Sequence, residues 1–157
     1  MIETICTLLE FADKNAIESL IFRYVRCVDT CRWHDLGQLF AHAVITANGG
    51  EGVRLEGAEA VANQWRDVNR QYDNGTLNTQ HIVTNLEFDE QPNGDISVHS
   101  CFTVLQATPA LPLQPIVAGR YTDVFEKADG KWRFKTKHID VRLIGNVSQH
   151  LNIQLGR

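Results

Sequence analysis

Apolar residues recur every three to four positions in the first part of the chain and at every second position after it. Ile17, Leu20, Ile21, Tyr24, Val25 and Val28 share one stripe and predict an amphipathic helix of about four turns, ending near Asp29. Asp13 or Asn15 is its expected cap. Trp33, Leu36 and Phe40 form the stripe of a short second helix, with Thr30 as its expected cap. Val44 to Ala47 and Val53 to Leu55 are short strand candidates on either side of a glycine-rich turn containing Gly49, Gly50 and Gly52. Ala58, Val61, Trp65, Val68 and Tyr72 predict a third helix, introduced by Gly57 and stopped by Asp73-Asn74-Gly75.

Beyond residue 76 the alternation is that of strands. Thr79 to Phe88 places His81, Val83 and Asn85 on one side and Gln80, Ile82, Thr84 and Leu86 on the other. Pro92-Asn93-Gly94-Asp95 is a turn, and Ile96 to Ala107 a long strand. Pro109, Pro112 and Pro115 mark a loop or irregular edge. Val117 to Lys127 and Lys131 to Ile144 are strands joined at Asp129-Gly130. The segment from Gly145 onward carries no pattern that assigns it. Helices followed by a long sheet predict an α+β fold: a cone in which a strongly curved, mixed or antiparallel sheet wraps around three N-terminal helices. The open end of such a cone is the expected pocket.

At 157 residues the chain is expected to be a single domain, with its core over about residues 10 to 144. Fifteen Lys and Arg against nineteen Asp and Glu give a net charge of -4. That balance disfavours nucleic acid and membrane surfaces and leaves a small molecule or another protein as the expected partner. No run of about twenty apolar residues is present. Met1 to Cys6 lacks the basic start of a signal peptide, so a cytoplasmic location is expected. Of the four cysteines, Cys6, Cys27, Cys31 and Cys101, the pair Cys27 and Cys31 is one helical turn apart and with a histidine is a metal candidate. Buried thiols acting as small hydrophobes are the favoured reading. No phosphate loop, dinucleotide fingerprint, HExxH or G-x-S-x-G elbow occurs. The expectation is therefore no metal and no organic cofactor.

Candidate chemistry lies in polar residues on apolar faces. His81 is a candidate general base or acid, and Asp29 a candidate to fix its tautomer; the alternatives are a satisfied core histidine and a helix-end cap. Tyr24 is a candidate donor to a ligand oxygen or a core aromatic, and Asn85 a ligand contact or a turn or bulge residue. His138 shares a strand face with Trp132, Phe134 and Thr136, and is a candidate for the same pocket. Trp33, Trp65, Phe102 and Trp132 are candidate apolar walls. Lys131, Arg133, Lys135 and Lys137, beside Arg142, read as a solvated face or as an anionic-ligand or partner surface.

The stretch from Ile21 to Asp29 followed by Trp33-His34-Asp35-Leu36-Gly37-Gln38-Leu39-Phe40 resembles the opening of the SnoaL-like branch of the nuclear transport factor 2-like superfamily. Glu56 to Val61, Thr79 to Asn85, and Gly119 to Phe125 followed by Asp129 to Phe134 resemble its third helix, its first long strand and its final hairpin. The resemblance implies the cone fold and a dimer or trimer formed through the sheet. It is also partly similar to the scytalone dehydratases, which implies that Asp29 orients His81 for proton removal in a water elimination. Departures from that family are Val28 in place of a tyrosine and no histidine within Thr103 to Gln106. Tyr24 matches the substrate-binding tyrosine of the ketosteroid isomerases. The expected function is thus a lyase or isomerase acting on a small apolar, oxygen-bearing substrate such as a polyketide, terpenoid or aromatic. The alternative is a ligand-binding or structural subunit, for example the small subunit of a ring-hydroxylating dioxygenase.

Overall fold

The computed structural model describes residues 9–48 and 52–153. Gly49, Gly50 and Cys6, and the chain start considered above, lie outside the described residues. The elements are α1 (Phe11–Asp29), α2 (Trp33–Leu39), β1 (Val44–Ala47), β2 (Val53–Glu56), α3 (Ala58–Val68), β3 (Thr79–Glu90), β4 (Ile96–Thr108), β5 (Leu111–Ala128) and β6 (Lys131–Ile144). They form one six-stranded sheet in the order β2-β1-β6-β5-β4-β3. The β1–β6 pair is parallel and the other pairs are antiparallel, so the sheet is mixed. The buried stripe of α1, which includes Ile17, Ile21, Tyr24 and Val28, packs into a common core with inward residues of the sheet such as Val98, Phe125 and Phe134. This is the expected α+β cone-like fold. No helix among the described residues is long and apolar enough to cross a membrane.

The helix ends differ from expectation in detail. Glu10 precedes α1 without a side-chain cap, which leaves Asp13 in the first turn. Thr30 closes α1 by bonding the Arg26 carbonyl, and Arg32 takes the cap position of α2. Helix α3 stops at Val68, short of Tyr72, because Asn69 turns extended and bridges to Leu151. Strand β5 runs through Pro112 and Pro115, so of the two alternatives for this segment the irregular edge holds and the loop does not. The prolines are tolerated because β6 ends opposite Val117. The β5 stretch before Val117 therefore pairs on one side only, with β4, and behaves as a local edge.

Two β-bulges change which side chains face inward. In β3 the register with β4 slips between Thr84 and Glu87, with Asn85 in a left-handed conformation at φ 56°. His81 and Val83 stay half-buried, Asn85 is exposed, and Leu86 and Phe88 turn inward in its place. In β6 the register with β5 slips at Lys135: Phe125 faces Phe134, and Val124 faces Thr136. The alternation is thereby offset by one residue. Lys137 becomes fully buried and His138 exposed.

Candidate functional site

Helix α1 ends at Asp29, and the Asp29 carbonyl accepts a bond from Leu77 N–H at 3.2 Å. That bond ties the start of β3 to the end of the helix. Three donors then meet the Asp29 carboxylate. Thr79 Oγ1 donates to Oδ1 at 2.7 Å and the His81 backbone N–H to Oδ2 at 2.9 Å. His81 Nδ1 lies 2.6 Å from Oδ1. A carboxylate at a helix C-terminus faces the negative end of the helix dipole. The three donors offset that repulsion. The His81 side chain is 8% exposed and that of Asp29 16%, so the pair is largely shielded from solvent. With Nδ1–H donated to Asp29, Nε2 presents its lone pair away from the carboxylate.

Deeper in the cone lies a cluster of rings. Tyr24 meets Phe40, Trp65 and Tyr121 edge to face, and Phe102 stacks on Tyr121 at 4.3 Å. Gly119 makes room for the Phe102 ring: a Cβ there would come within 2.8 Å of the ring and 2.1 Å of the Asp140 carbonyl. Among these rings Lys137 Nζ bonds both oxygens of Asp123, at 3.0 and 3.1 Å, and sits 3.5 Å from the Tyr121 ring centre. Both side chains of the ion pair are fully buried. Burial pushes the Asp123 carboxyl up and the Lys137 ammonium down, and each charge holds the other back. Burial also raises the phenols of Tyr24 and Tyr121 well above their ordinary range.

The structure brings Asp29 and His81 together and gathers Tyr24, Trp65 and Phe102 into one ring cluster. Trp33 is buried at the start of α2 with its Nε1 unpartnered. Three candidates lie elsewhere. Asn85 is spent on the β3 bulge. His138 points to the outer face, where Nδ1 lies 2.8 Å from Thr46 Oγ1. Trp132 donates its Nε1–H to Asp13 in the first turn of α1. Asp13 is sixteen residues before Asp29, about 24 Å along the helix, at the opposite end of the cone. The basic run on β6 is divided by its bulge. Lys135 bonds Asp95 and Arg133 bonds Glu126 near the surface, while Lys137 is internal. Burial raises the thiols of Cys27 and Cys31, the latter to about 11, as befits small hydrophobes. Thr79, Asp123 and Tyr121 were missed as partners of the site. Their signal was position: Thr79 shares the strand face of His81, and Asp123 lies on a face between two aromatics.

Comparison with known proteins accords with this fold. The profile of the SnoaL-like domain family matches residues 10–138. No curated protein matches the chain. Solved structures share the fold at low identity. A cystatin-like-fold protein of unknown function from Nostoc punctiforme is 19% identical with a TM-score of 0.68, over 85% of this chain and 94% of that one. A provisionally assigned scytalone dehydratase from Novosphingobium aromaticivorans is 23% identical with a TM-score of 0.65, over 84% and 85%. The beta subunit of a provisionally assigned aromatic-ring-hydroxylating dioxygenase from the same organism is 15% identical with a TM-score of 0.67, over 85% and 92%.

Proposed function

Because the chain belongs to the SnoaL-like domain family, and because its cone holds a shielded histidine–carboxylate pair, we propose that it is a lyase or isomerase acting on a small apolar, oxygen-bearing substrate. The observation that carries this reading is the 2.6 Å contact between His81 Nδ1 and Asp29 Oδ1 at a side chain that is 8% exposed. His81 Nε2 takes a proton from a carbon next to the oxygen-bearing carbon. The imidazolium that forms lies against the Asp29 carboxylate and near the negative end of α1, and both stabilise it. The proton then returns to another carbon in an isomerisation, or leaves with an oxygen substituent in an elimination. Trp33, Trp65 and Phe102 supply apolar walls, and Tyr24 a phenol toward the deep end.

The test uses a substrate that reports carbon-proton removal without knowledge of the natural one. 5-Nitrobenzisoxazole opens to a coloured phenolate when a base removes its C3 proton. The reading expects turnover by the wild-type protein, lost to background in His81→Ala and lowered about 10⁴-fold in Asp29→Asn, where the carboxylate that sets the tautomer is gone. Turnover that survives His81→Ala would overturn it.

A further inference from the structure

After β6 the chain returns across the residues that follow α3. This strap, residues 146–152, is held mainly through its backbone. The Gln149 carbonyl accepts from Tyr72 Oη at 2.6 Å and from Gln106 Nε2 at 3.0 Å. The His150 carbonyl accepts from Arg70 N–H at 2.8 Å, and Asn152 N–H donates to the Val68 carbonyl at 2.9 Å. Gln106 stands opposite Thr79 in the β3–β4 register, one same-face step from His81. The strap therefore lies over the end of the cone that holds the Asp29–His81 pair.

The strap carries His150, which is 7% exposed, and its Nδ1 has neither a hydrogen-bond partner nor contact with solvent. A buried ring nitrogen without a partner is costly and calls for a reason. The other buried side-chain polar atoms in this condition, among the described residues, are Trp33 Nε1, Ser100 Oγ and Gln106 Oε1. Ser100 and Gln106 lie on the buried face of β4, and Trp33 starts α2 just past Asp29. Gln106 and Trp33 are thus hydrogen-bonding groups that the protein itself leaves unmatched near the Asp29 end of the cone, whereas Ser100 lies farther along β4, opposite Tyr121.

We propose that His150 is a second ligand-contacting residue of this site: its imidazole N–H donates a hydrogen bond to the substrate oxygen on which negative charge collects as His81 removes the proton. This rests on the reading of His81 and Asp29 as the proton-transfer pair. The oxygen is the missing partner, and the ligand class narrows to molecules whose carbonyl, enol or phenol oxygen is conjugated to the carbon losing the proton. Burial and the neighbouring His81 push His150 down to about 4, so it is neutral near pH 7 and acts as a donor rather than as a cation. A neutral donor preorganised in a shielded site stabilises an oxyanion without the cost of burying another charge.

The experiment compares benzisoxazole with its 5-nitro derivative. In each, His81 takes the C3 proton, the C–H electron pair forms the nitrile, and the N–O bond breaks to leave a phenolate. The nitro group already spreads that charge away from the oxygen, so the donor matters more for the parent compound. His150→Phe is expected to lower kcat about 100-fold on benzisoxazole and much less on the nitro derivative. His150→Gln, which keeps an N–H donor, is expected to recover part of the loss. The strap's backbone bonds remain available in both variants. Equal losses on the two compounds with Gln no better than Phe, or no loss at all, would overturn the role of His150 while leaving His81 in place. Wild-type rates in His81→Ala, or a wild-type protein that opens neither compound, would overturn the reading of the pair and this inference with it.

Discussion

Lys137→Met removes the one cation that, among the described residues, lies in the ring cluster inside the cone, and leaves Asp123 fully buried and unpaired. The magnitude follows from the geometry. Both charges are at zero exposure, and Nζ bonds both carboxylate oxygens. Breaking one half of such a pair costs about 3–5 kcal/mol. Against a stability of about 5–15 kcal/mol for a domain, that is a large fraction. Part of the loss is the ammonium's attraction to the Tyr121 and Tyr24 rings, 3.5 and 4.3 Å from Nζ. The sign with pH is also set. An unpaired buried carboxylate binds its proton more tightly in the folded chain than in the unfolded one. The variant's deficit should therefore grow as pH rises from 4 toward 7. Replacing both partners, Lys137→Met with Asp123→Leu, removes the stranded charge and should recover most of the loss. Urea denaturation of the wild type, both single variants and the double variant, followed by tryptophan fluorescence and circular dichroism, measures the coupling. A Lys137→Met variant within about 1 kcal/mol of wild type, well below the buried-pair cost, would refute the reasoning. So would a double variant less stable than either single one.

Three further outcomes are expected. His150 should make the protein less stable in acid: with its ordinary value of 6.5 pushed to about 4 by burial, the unfolded chain binds the proton first. Stability should fall by up to about 3 kcal/mol as pH drops across that window, and denaturation midpoints of His150→Phe against pH should lack that component. Thr79→Val removes one of the three donors to Asp29; a loss of about 1 kcal/mol in stability and a lower kcat on 5-nitrobenzisoxazole are expected, and an unchanged kcat would show that Thr79 does not help hold the carboxylate. Trp132→Phe removes the bond to Asp13 at the far end of α1; it should cost about 1 kcal/mol by thermal melting and leave probe turnover at the wild-type rate.

His81 and Asp29 were legible because each lies before any irregularity. The α1 stripe runs unbroken to Asp29, and His81 precedes the β3 bulge. The ligand-contact reading of Asn85, whose bulge alternative holds, and the pocket reading of His138 failed for one shared reason. A bulge adds a residue to one strand without a compositional mark, and every side chain beyond it changes face. Counting by twos from Phe134 leads to His138, whereas the extra residue at Lys135 brings Lys137 inside. Lys137 was hidden further by its neighbours, since an alternating run of basic residues reads as solvent-facing until a buried carboxylate is known to oppose it. Trp132 failed on length: it shares a strand with the site's surroundings, but a helix of nineteen residues separates the two ends of the cone. His150 had no signal at all, because its strap has no periodicity and its partners come from α3's exit and β4.

The central claim is that His81 removes a proton from carbon. It is tested most directly by the isotope effect on wild-type turnover of 5-nitrobenzisoxazole carrying deuterium at C3. The account predicts that the deuterated compound opens several-fold more slowly in kcat and that His81→Ala reduces both compounds to the background rate. Equal rates for the two compounds in kcat, or turnover that persists in His81→Ala, would contradict it.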